Sequence, residues 1–351
     1  MGWLTELSTD KCRYVNESFH KYRCRVKLAI DIDKYASATY ALNHPTTKVI
    51  VRDISKMREI EVEKKGKETI IFGGPPCQGF STSNQRTRNS TNKKNWLFKD
   101  FTRIINSYKP DWVVLENVRG IVETEGGYFK NKIINEFNNI GYTTTEGILC
   151  AKDFGVPQNR SRFFVIASLH GIKVPLPVPK VNQCVTVKEA IVDLPVLANG
   201  ANEDCLPYSG IAFSNYSKSM RNGMKKCKNN LVTNNALHII DRYKYIPQGG
   251  NWESIPERLM KNYKDRTRCH TGIYHRLRED KPSVVIGNFR KNMLVHPTQD
   301  RGLSVREAAR LQSFPDSYIF EGSIGFQQQQ VGDAVPPLLA KAVFEELLKN
   351  N

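Results

Sequence analysis

The sequence is short of acid. It sets 35 aspartates and glutamates against 52 lysines and arginines, for a formal net charge of +17. Such an excess suits a polyanionic partner, because each phosphate met by Lys or Arg releases condensed counterions. A generally basic protein with no such partner is the alternative that charge alone leaves open. Long apolar runs are missing too. No window approaches the roughly 20 apolar residues that a membrane helix needs, although the hydrophobic share, 40%, is ordinary. The opening residues, MGWLTELSTDKCRYVNESFH, lack the basic, apolar, small-residue order of a secretory signal. The expected place of work is therefore the cell interior. Paired cysteines are absent as well. The eight cysteines are Cys12, Cys24, Cys77, Cys150, Cys184, Cys205, Cys227 and Cys269, with no C-x-x-C and no Cys/His spacing of a zinc site. No metal is expected, and thiol–disulfide exchange lacks its motif. Reduced, core-filling thiols are the default; only Cys77 stands in a different local sequence.

What is there begins with alternation. At 351 residues the chain can form one large domain or two modest ones. VKLAIDID (26–33), KVIVRDI (48–54), ETIIFGG (68–74) and DWVVLENV (111–118) read as strands, and TTTEGILCAKDFG and RFFVIAS (162–168) complete the set. Between them YASATYALN (35–43), LFKDFTRIINSY (97–108) and KNKIINEFNNIGY (130–142) have helical spacing. Strands alternating with helices predict an α/β fold with a doubly wound, mostly parallel sheet, whose working residues lie past the carboxyl ends of strands. GIKVPLPVPK reads as a linker near residue 172, and residues to about 300 are polar, basic and weakly periodic. Helical patterning returns in SVREAARLQSF (304–314) and PPLLAKAVFEELLKN (336–350). No internal repeat is present.

Several strand ends carry reactive side chains. In GGPPCQGFS (73–81) two prolines stiffen the turn before Cys77. Fixed φ angles hold a thiol in one place, and a thiol at a strand-to-loop turn can be activated as thiolate. A buried cysteine beside a rigid turn has the same local sequence. Glu116 and Asn117 end an apolar strand, where a carboxyl needs a partner or a task; a solvated strand-end acid is the plainer alternative. Gln158, Arg160 and Arg162 in FGVPQNRSRFFVIA stand at a strand mouth, with the two arginines projecting from one face of an extended segment. Solvated surface arginines would read alike. Asp31 and Asp53 each close a strand, as do acids that bind ribose in dinucleotide folds.

Taken together, P-P-C-Q-G-F-S, E-N-V, P-Q-N-R-x-R, R-E-A-A-R-L-Q-S-F-P-D and Q-V-G-D-A-V-P-P, in this order, resemble the DNA cytosine-5 methyltransferases of bacterial restriction–modification systems. The likeness covers about residues 26–172 and 296–345. It implies a Rossmann-like methyltransferase fold with a smaller, loop-rich target-recognition domain. The expected boundaries are 1–172 for the catalytic and cofactor-binding domain, 173–300 for recognition, and 301–351 for a return segment and C-terminal helix. The resemblance also implies base flipping and S-adenosylmethionine as methyl donor. Cys77 would add to C6 of the flipped cytosine. Glu116 would contact N3 and the exocyclic amine, Arg162 would hold O2, and Arg160 and Gln158 would hold nearby backbone. Asp31 would bind the cofactor ribose and Asp53 its adenine, with Ile32, Ile54, Pro76, Leu97, Asp333 and Val335 around them. Gln78, Ser81, Gln158, Arg266, Arg268, Thr271, Tyr274 and Arg276 would meet DNA, the last five as base readers in the major groove. Lys225, Lys226 and Lys228 suit phosphate.

One element of the pattern is missing. Family members open with an apolar strand and a glycine-rich F-x-G-x-G turn that lets backbone approach the cofactor. Residues 1–25 hold one glycine, Gly2, and no apolar strand is expected before Val26. Asp333 also stands where many relatives have Asn. A truncated or frame-shifted product, a split enzyme completed by a second chain, and a divergently rebuilt pocket each account for the first departure. The competing functions are thus an active methyltransferase with a cognate restriction endonuclease, working on the nucleoid in the bacterial cytoplasm, and a catalytically impaired DNA-binding relative. A zinc-dependent cytosine deaminase is excluded, since H-x-E and P-C-x-x-C are both absent.

Overall fold

The computed structural model describes residues 2–7, 24–64, 66–75, 96–179, 183–261, 263 and 272–349, with backbone alone for 2–7, 24, 291 and 292. The chain divides into two compact units. Unit 1 is Met1–Cys150, Ser161–Pro179 and Lys341–Asn351; unit 2 is Ala151–Arg160 and Lys180–Ala340. Among the described residues no helix is long and apolar enough to cross a membrane.

Unit 1 is built on a seven-stranded sheet. Its strands are β1 (Gly2–Leu7), β2 (Cys24–Asp31), β3 (Lys48–Val51), β4 (Thr69–Gly73), β5 (Trp112–Val118), β6 (Thr143–Cys150) and β7 (Ser161–Ser168), in the order β3-β2-β1-β4-β5-β7-β6. The pairs β2·β3 and β4·β5 are parallel, while β1 and β7 are each antiparallel to both neighbours. Five of the seven strands therefore share one direction, as a mostly parallel sheet requires. The expectation of no strand before Val26 is corrected: β1 pairs Gly2 with Ile30 on one side and with Gly73 on the other. Both edges of a six-residue segment are satisfied by hydrogen bonds to distant partners, which local periodicity does not register.

The helices of this unit follow their sequence signals. α1 (Lys34–Asn43) starts because the Asp33 carboxylate accepts from the backbone N–H groups of Tyr35 and Ala36. α2 (Phe98–Tyr108) buries Phe98, Phe101, Thr102, Ile104 and Ile105, a single apolar stripe. It packs in one core with Val113 and Leu115 of β5, Val165 of β7, and Phe129, Ile133 and Phe137 of α3 (Tyr128–Asn139).

Unit 2 is short helices and loops: α4 (Val187–Ile191), α5 (Asn215–Arg221), α6 (Leu237–Tyr243), α7 (Phe289–Asn292), α8 (Val305–Leu311) and α9 (Ile324–Asp333), with a two-stranded pair, β8 (Leu206–Pro207) and β9 (Lys226–Cys227). The last helix, α10 (Pro337–Lys349), carries the chain back into unit 1, where Phe344 lies edge-on to Phe72 at 5.0 Å. The return comes at Lys341. Residues 301–340 instead complete the core of unit 2, because Leu303, Val305, Ala308, Leu311 and Val331 pack with Val187, Ile191 and Ile286.

Ion pairs also hold this unit together. Ser304 and Glu307 form a capping box on α8. Arg301 donates to both carboxylate oxygens of Glu307, at 2.8 and 2.7 Å. Burial raises the Glu307 carboxyl, but the Arg301 charge and its bonds outweigh that effect and hold the group at about 2. A carboxyl held below its ordinary value stabilises the fold fully above that value, here near 4.5, and the contribution fades as pH falls towards about 2. The Tm should therefore fall between pH 4.5 and 2.5, and the Glu307→Gln variant should show a shallower acid limb in the same thermal scans. Equal limbs would remove Glu307 from the acid response.

Candidate active site

The carboxyl ends of the strands in unit 1 gather the acids. Asp31 ends β2, and Asp53 lies two residues beyond the end of β3, its parallel neighbour, in which Val51 pairs with Asp31. Asp31 Oδ1 accepts from the Asp33 N–H at 2.7 Å. Asp53 Oδ1 accepts from the Ser55 N–H and hydroxyl, at 2.9 and 2.8 Å. These bonds, the hydroxyl first, lower the Asp53 carboxyl below its usual range. Ile32 projects into solvent at 69% exposure, while Ile54 and Leu97 are half-buried. Two carboxylates beside an open aliphatic side chain match an adenosine group. Carboxylates accept from ribose hydroxyls and an exocyclic amine, and an apolar surface covers a base. The donor set therefore fits S-adenosylmethionine.

Glu116 stands near the end of β5. In the antiparallel register Val118 faces Arg162 and Glu116 faces Phe164, so Glu116 and Arg162 are diagonal neighbours on one face. Arg162 Nε meets Glu116 Oε1 at 2.7 Å, with both side chains largely buried. On the other side β4 ends at Gly73, opposite Leu115. A Cβ on the following Gly74 would lie 2.8 Å from Glu116 Oε2. Glycine is what lets this backbone pass so close to the carboxylate. Its signal in the sequence is the second glycine before P-P-C. Gly74 leads through Pro75 to the run that carries Cys77. The carboxylate accepts and the guanidinium donates, which matches the amine and the O2 along one edge of cytosine.

Several other predicted residues have different roles. Pro76, Cys77, Gln78, Ser81, Arg266, Arg268 and Thr271 lie outside the described residues. Gln158, expected on DNA, is fully buried in unit 2, where it bonds Leu311, Gln312 and Ile286. Tyr274 is buried with its hydroxyl held by Arg242. Arg276 is buried too, donating to the carbonyls of Tyr243, Ile246, His296 and Gln299 and to Asp300. None of these three is available to a base edge, and their assignment to DNA is corrected. Arg160, expected to hold backbone near the flipped base, is 1% exposed and donates to main-chain carbonyls of unit 2. Lys225, Lys226 and Lys228 are exposed, as a phosphate contact requires. Asp333 is exposed and Val335 half-buried at the end of α9. Unit 2 also has a cleft of about 650 Å³ lined by Asn288, Arg290, Ser323, Gly325, Phe326 and Gln329, none of them foreseen.

Comparison with known proteins identifies the family. The model of the C-5 cytosine-specific DNA methylase family matches residues 12–349. The Type II methyltransferase M1.HphI of Haemophilus parahaemolyticus is 34% identical, over 92% of this chain and 81% of its own length. The Type II methyltransferase M.DdeI of Desulfomicrobium norvegicum is also 34% identical, over 91% and 82%. Among solved structures, a putative DNA modification methyltransferase encoded within an Escherichia coli prophage superposes with a TM-score of 0.70. It is 22% identical and covers 93% of this chain and 92% of that one, a likeness of fold. The chain therefore belongs to the C-5 cytosine-specific DNA methylases: it is a DNA (cytosine-5)-methyltransferase whose methyl donor is S-adenosylmethionine.

Proposed function

We propose that methylation runs through a covalent Cys77 adduct on a cytosine flipped out of the duplex and held at its ring edge by Glu116 and Arg162. The observation that carries this reading is the Glu116–Arg162 pair at 2.7 Å, beside the glycine that leads into P-P-C. Cytosine is not nucleophilic at C5. Attack of the Cys77 thiolate on C6 forms an S–C bond and pushes the electrons of the 5,6 double bond towards C5 and N3. Glu116, entering this step as the acid, passes its proton to N3 as the charge appears there, accepts from the exocyclic amine, and takes the N3 proton back when Cys77 is expelled, while Arg162 donates to O2. S-adenosylmethionine supplies an electrophilic methyl group to C5. Loss of the C5 proton to a base then re-forms the double bond and expels Cys77 as thiolate. Asp31 and Asp53 would hold the adenosine hydroxyls and amine, with Ile32, Ile54, Pro76, Leu97, Asp333 and Val335 lining the pocket.

In this reading residues 173–300 supply the recognition surface. Lys225, Lys226 and Lys228 meet phosphate, and Arg266, Arg268 and Thr271 remain the base readers, with Gln78 and Ser81 at the flipped base. The relatives named Type II methyltransferases support a protective role beside a cognate restriction endonuclease on DNA in the cytoplasm. The place between β2 and β4 is filled by this chain's own Gly2–Leu7. That favours one chain over a split enzyme whose second chain completes the sheet.

Duplex DNA carrying 5-fluorocytosine at the target tests the chemistry. Fluorine does not leave C5 as a proton does, so with cofactor present a denaturation-resistant protein–DNA band is expected. A chain that methylates ordinary DNA yet leaves no such band would overturn the covalent route.

A further inference from the structure

The geometry points to Gln158 and Arg160 as positioning residues that brace the 332–335 turn, the segment that presents Asp333 and Val335 to the cofactor. This inference rests on the reading of those two residues as cofactor-lining. It concerns contacts inside unit 2 alone.

The brace begins in the backbone. Asn159 N–H donates to the Ser283 carbonyl at 2.8 Å, and Ser283 N–H donates to the Pro157 carbonyl at 2.9 Å. The two side chains then hold the backbone of one residue, Ile286, at both its N–H and its carbonyl. Gln158 Oε1 accepts from Ile286 N–H at 3.0 Å, and Arg160 Nη1 donates to the Ile286 carbonyl at 2.7 Å. From there each reaches towards the end of α9. Gln158 Nε2 donates to Gln312 Oε1 at 3.0 Å, and Gln312 Nε2 donates on to the Val331 carbonyl at 2.7 Å. Arg160 Nη2 spans the carbonyls of Gly332 at 2.8 Å and Ala334 at 3.1 Å, one on each side of Asp333.

Each contact has a physical reason. The last carbonyls of a helix have no partner within it and form the negative end of its dipole. A buried guanidinium satisfies several of them at once with fixed fork geometry. The turn is also held by contact. A Cβ on Gly332 would sit 2.2 Å from the Gly287 carbonyl oxygen, so the helix end lies directly on the backbone that Gln158 and Arg160 clamp. At 1% exposure, Arg160 directs these donors to main chain and not to solvent. A guanidinium so placed acts on the cofactor through the turn.

Equilibrium binding of S-adenosylmethionine, measured by titration calorimetry beside binding of a short duplex, tests this. Arg160→Lys keeps the charge and loses the fork. Its affinity for S-adenosylmethionine should fall on the order of tenfold, with duplex affinity unchanged. Arg160→Met should fall further if it folds. Arg306→Lys is the control: its guanidinium is equally buried and bonds carbonyls of Lys228, Pro315 and Tyr318, away from the turn. It should lose stability without losing cofactor affinity. Wild-type affinity in Arg160→Lys overturns the brace. So does a loss confined to duplex binding, which would make Arg160 a phosphate contact. A wild-type chain that takes up no S-adenosylmethionine removes the cofactor reading itself, and the brace falls with it.

Discussion

The Cys77→Ser chain is expected to lose methyl transfer by on the order of a thousandfold or more, while binding duplex DNA and S-adenosylmethionine much as the wild type does. The asymmetry follows from the chemistry. Addition at C6 is what makes C5 nucleophilic, and a serine hydroxyl near neutral pH neither attacks nor leaves as a thiolate does. In the proposed grip on the ring, the carboxylate of Glu116 and the guanidinium of Arg162 are set by the register of β5 and β7. Transfer of labelled methyl groups to target DNA, with gel-shift and calorimetric binding in parallel, reads both halves. Undiminished transfer would take Cys77 out of the mechanism, and a parallel loss of duplex binding would make its role structural.

The second large effect is on stability. Arg310 is fully buried, donating to both oxygens of Asp316 at 2.6 Å and to Asp193 at 3.0 Å. Asp193 is shared with Arg221 at 2.6 Å, so its carboxylate keeps a partner when Arg310 is removed. Among the described residues, Asp316 then keeps the Tyr208 hydroxyl and an Arg306 nitrogen at 3.9 Å. Arg310→Met should therefore destabilise unit 2 by about 3–5 kcal/mol, the cost of leaving a buried charge without its counter-ion. Arg310→Met with Asp316→Asn should recover part of that loss, since the orphaned charge goes with it. Denaturant melts of the three chains measure this. A single variant within about 1 kcal/mol of wild type, or a double variant no better than the single, would contradict it.

Much of unit 1 was legible in the sequence. The strands from β2 to β7 and the helices between them fall within a few residues of the expected spans, because interior strands are continuous apolar runs and α2 has a clean stripe. The same logic puts Asp31 and Glu116 at the ends of apolar runs, Asp53 just past one and Arg162 at the start of another, which is where they stand in unit 1. β1 was hidden because GWLTEL is short and its partners lie some 25 and 70 residues away. The residues wrongly given to DNA fail for another reason. Composition does not separate an arginine that meets a phosphate from one that meets carbonyls, and Arg276 is of the second kind. Nor does it say that Ser304 to Leu311 caps and packs within unit 2, which moved the return to unit 1 from residue 301 to 341.

The reversed direction of β1 has a practical side. Gly2 is level with Ile30 and Gly73, so the amino end of the strand emerges at the rim where Asp31 and Gly74 lie. A purification handle fused ahead of Gly2 would issue beside Asp31 and Gly74 and crowd the proposed adenosine contact there. Preparations with and without such a handle should therefore not be treated as interchangeable when ligand uptake is compared.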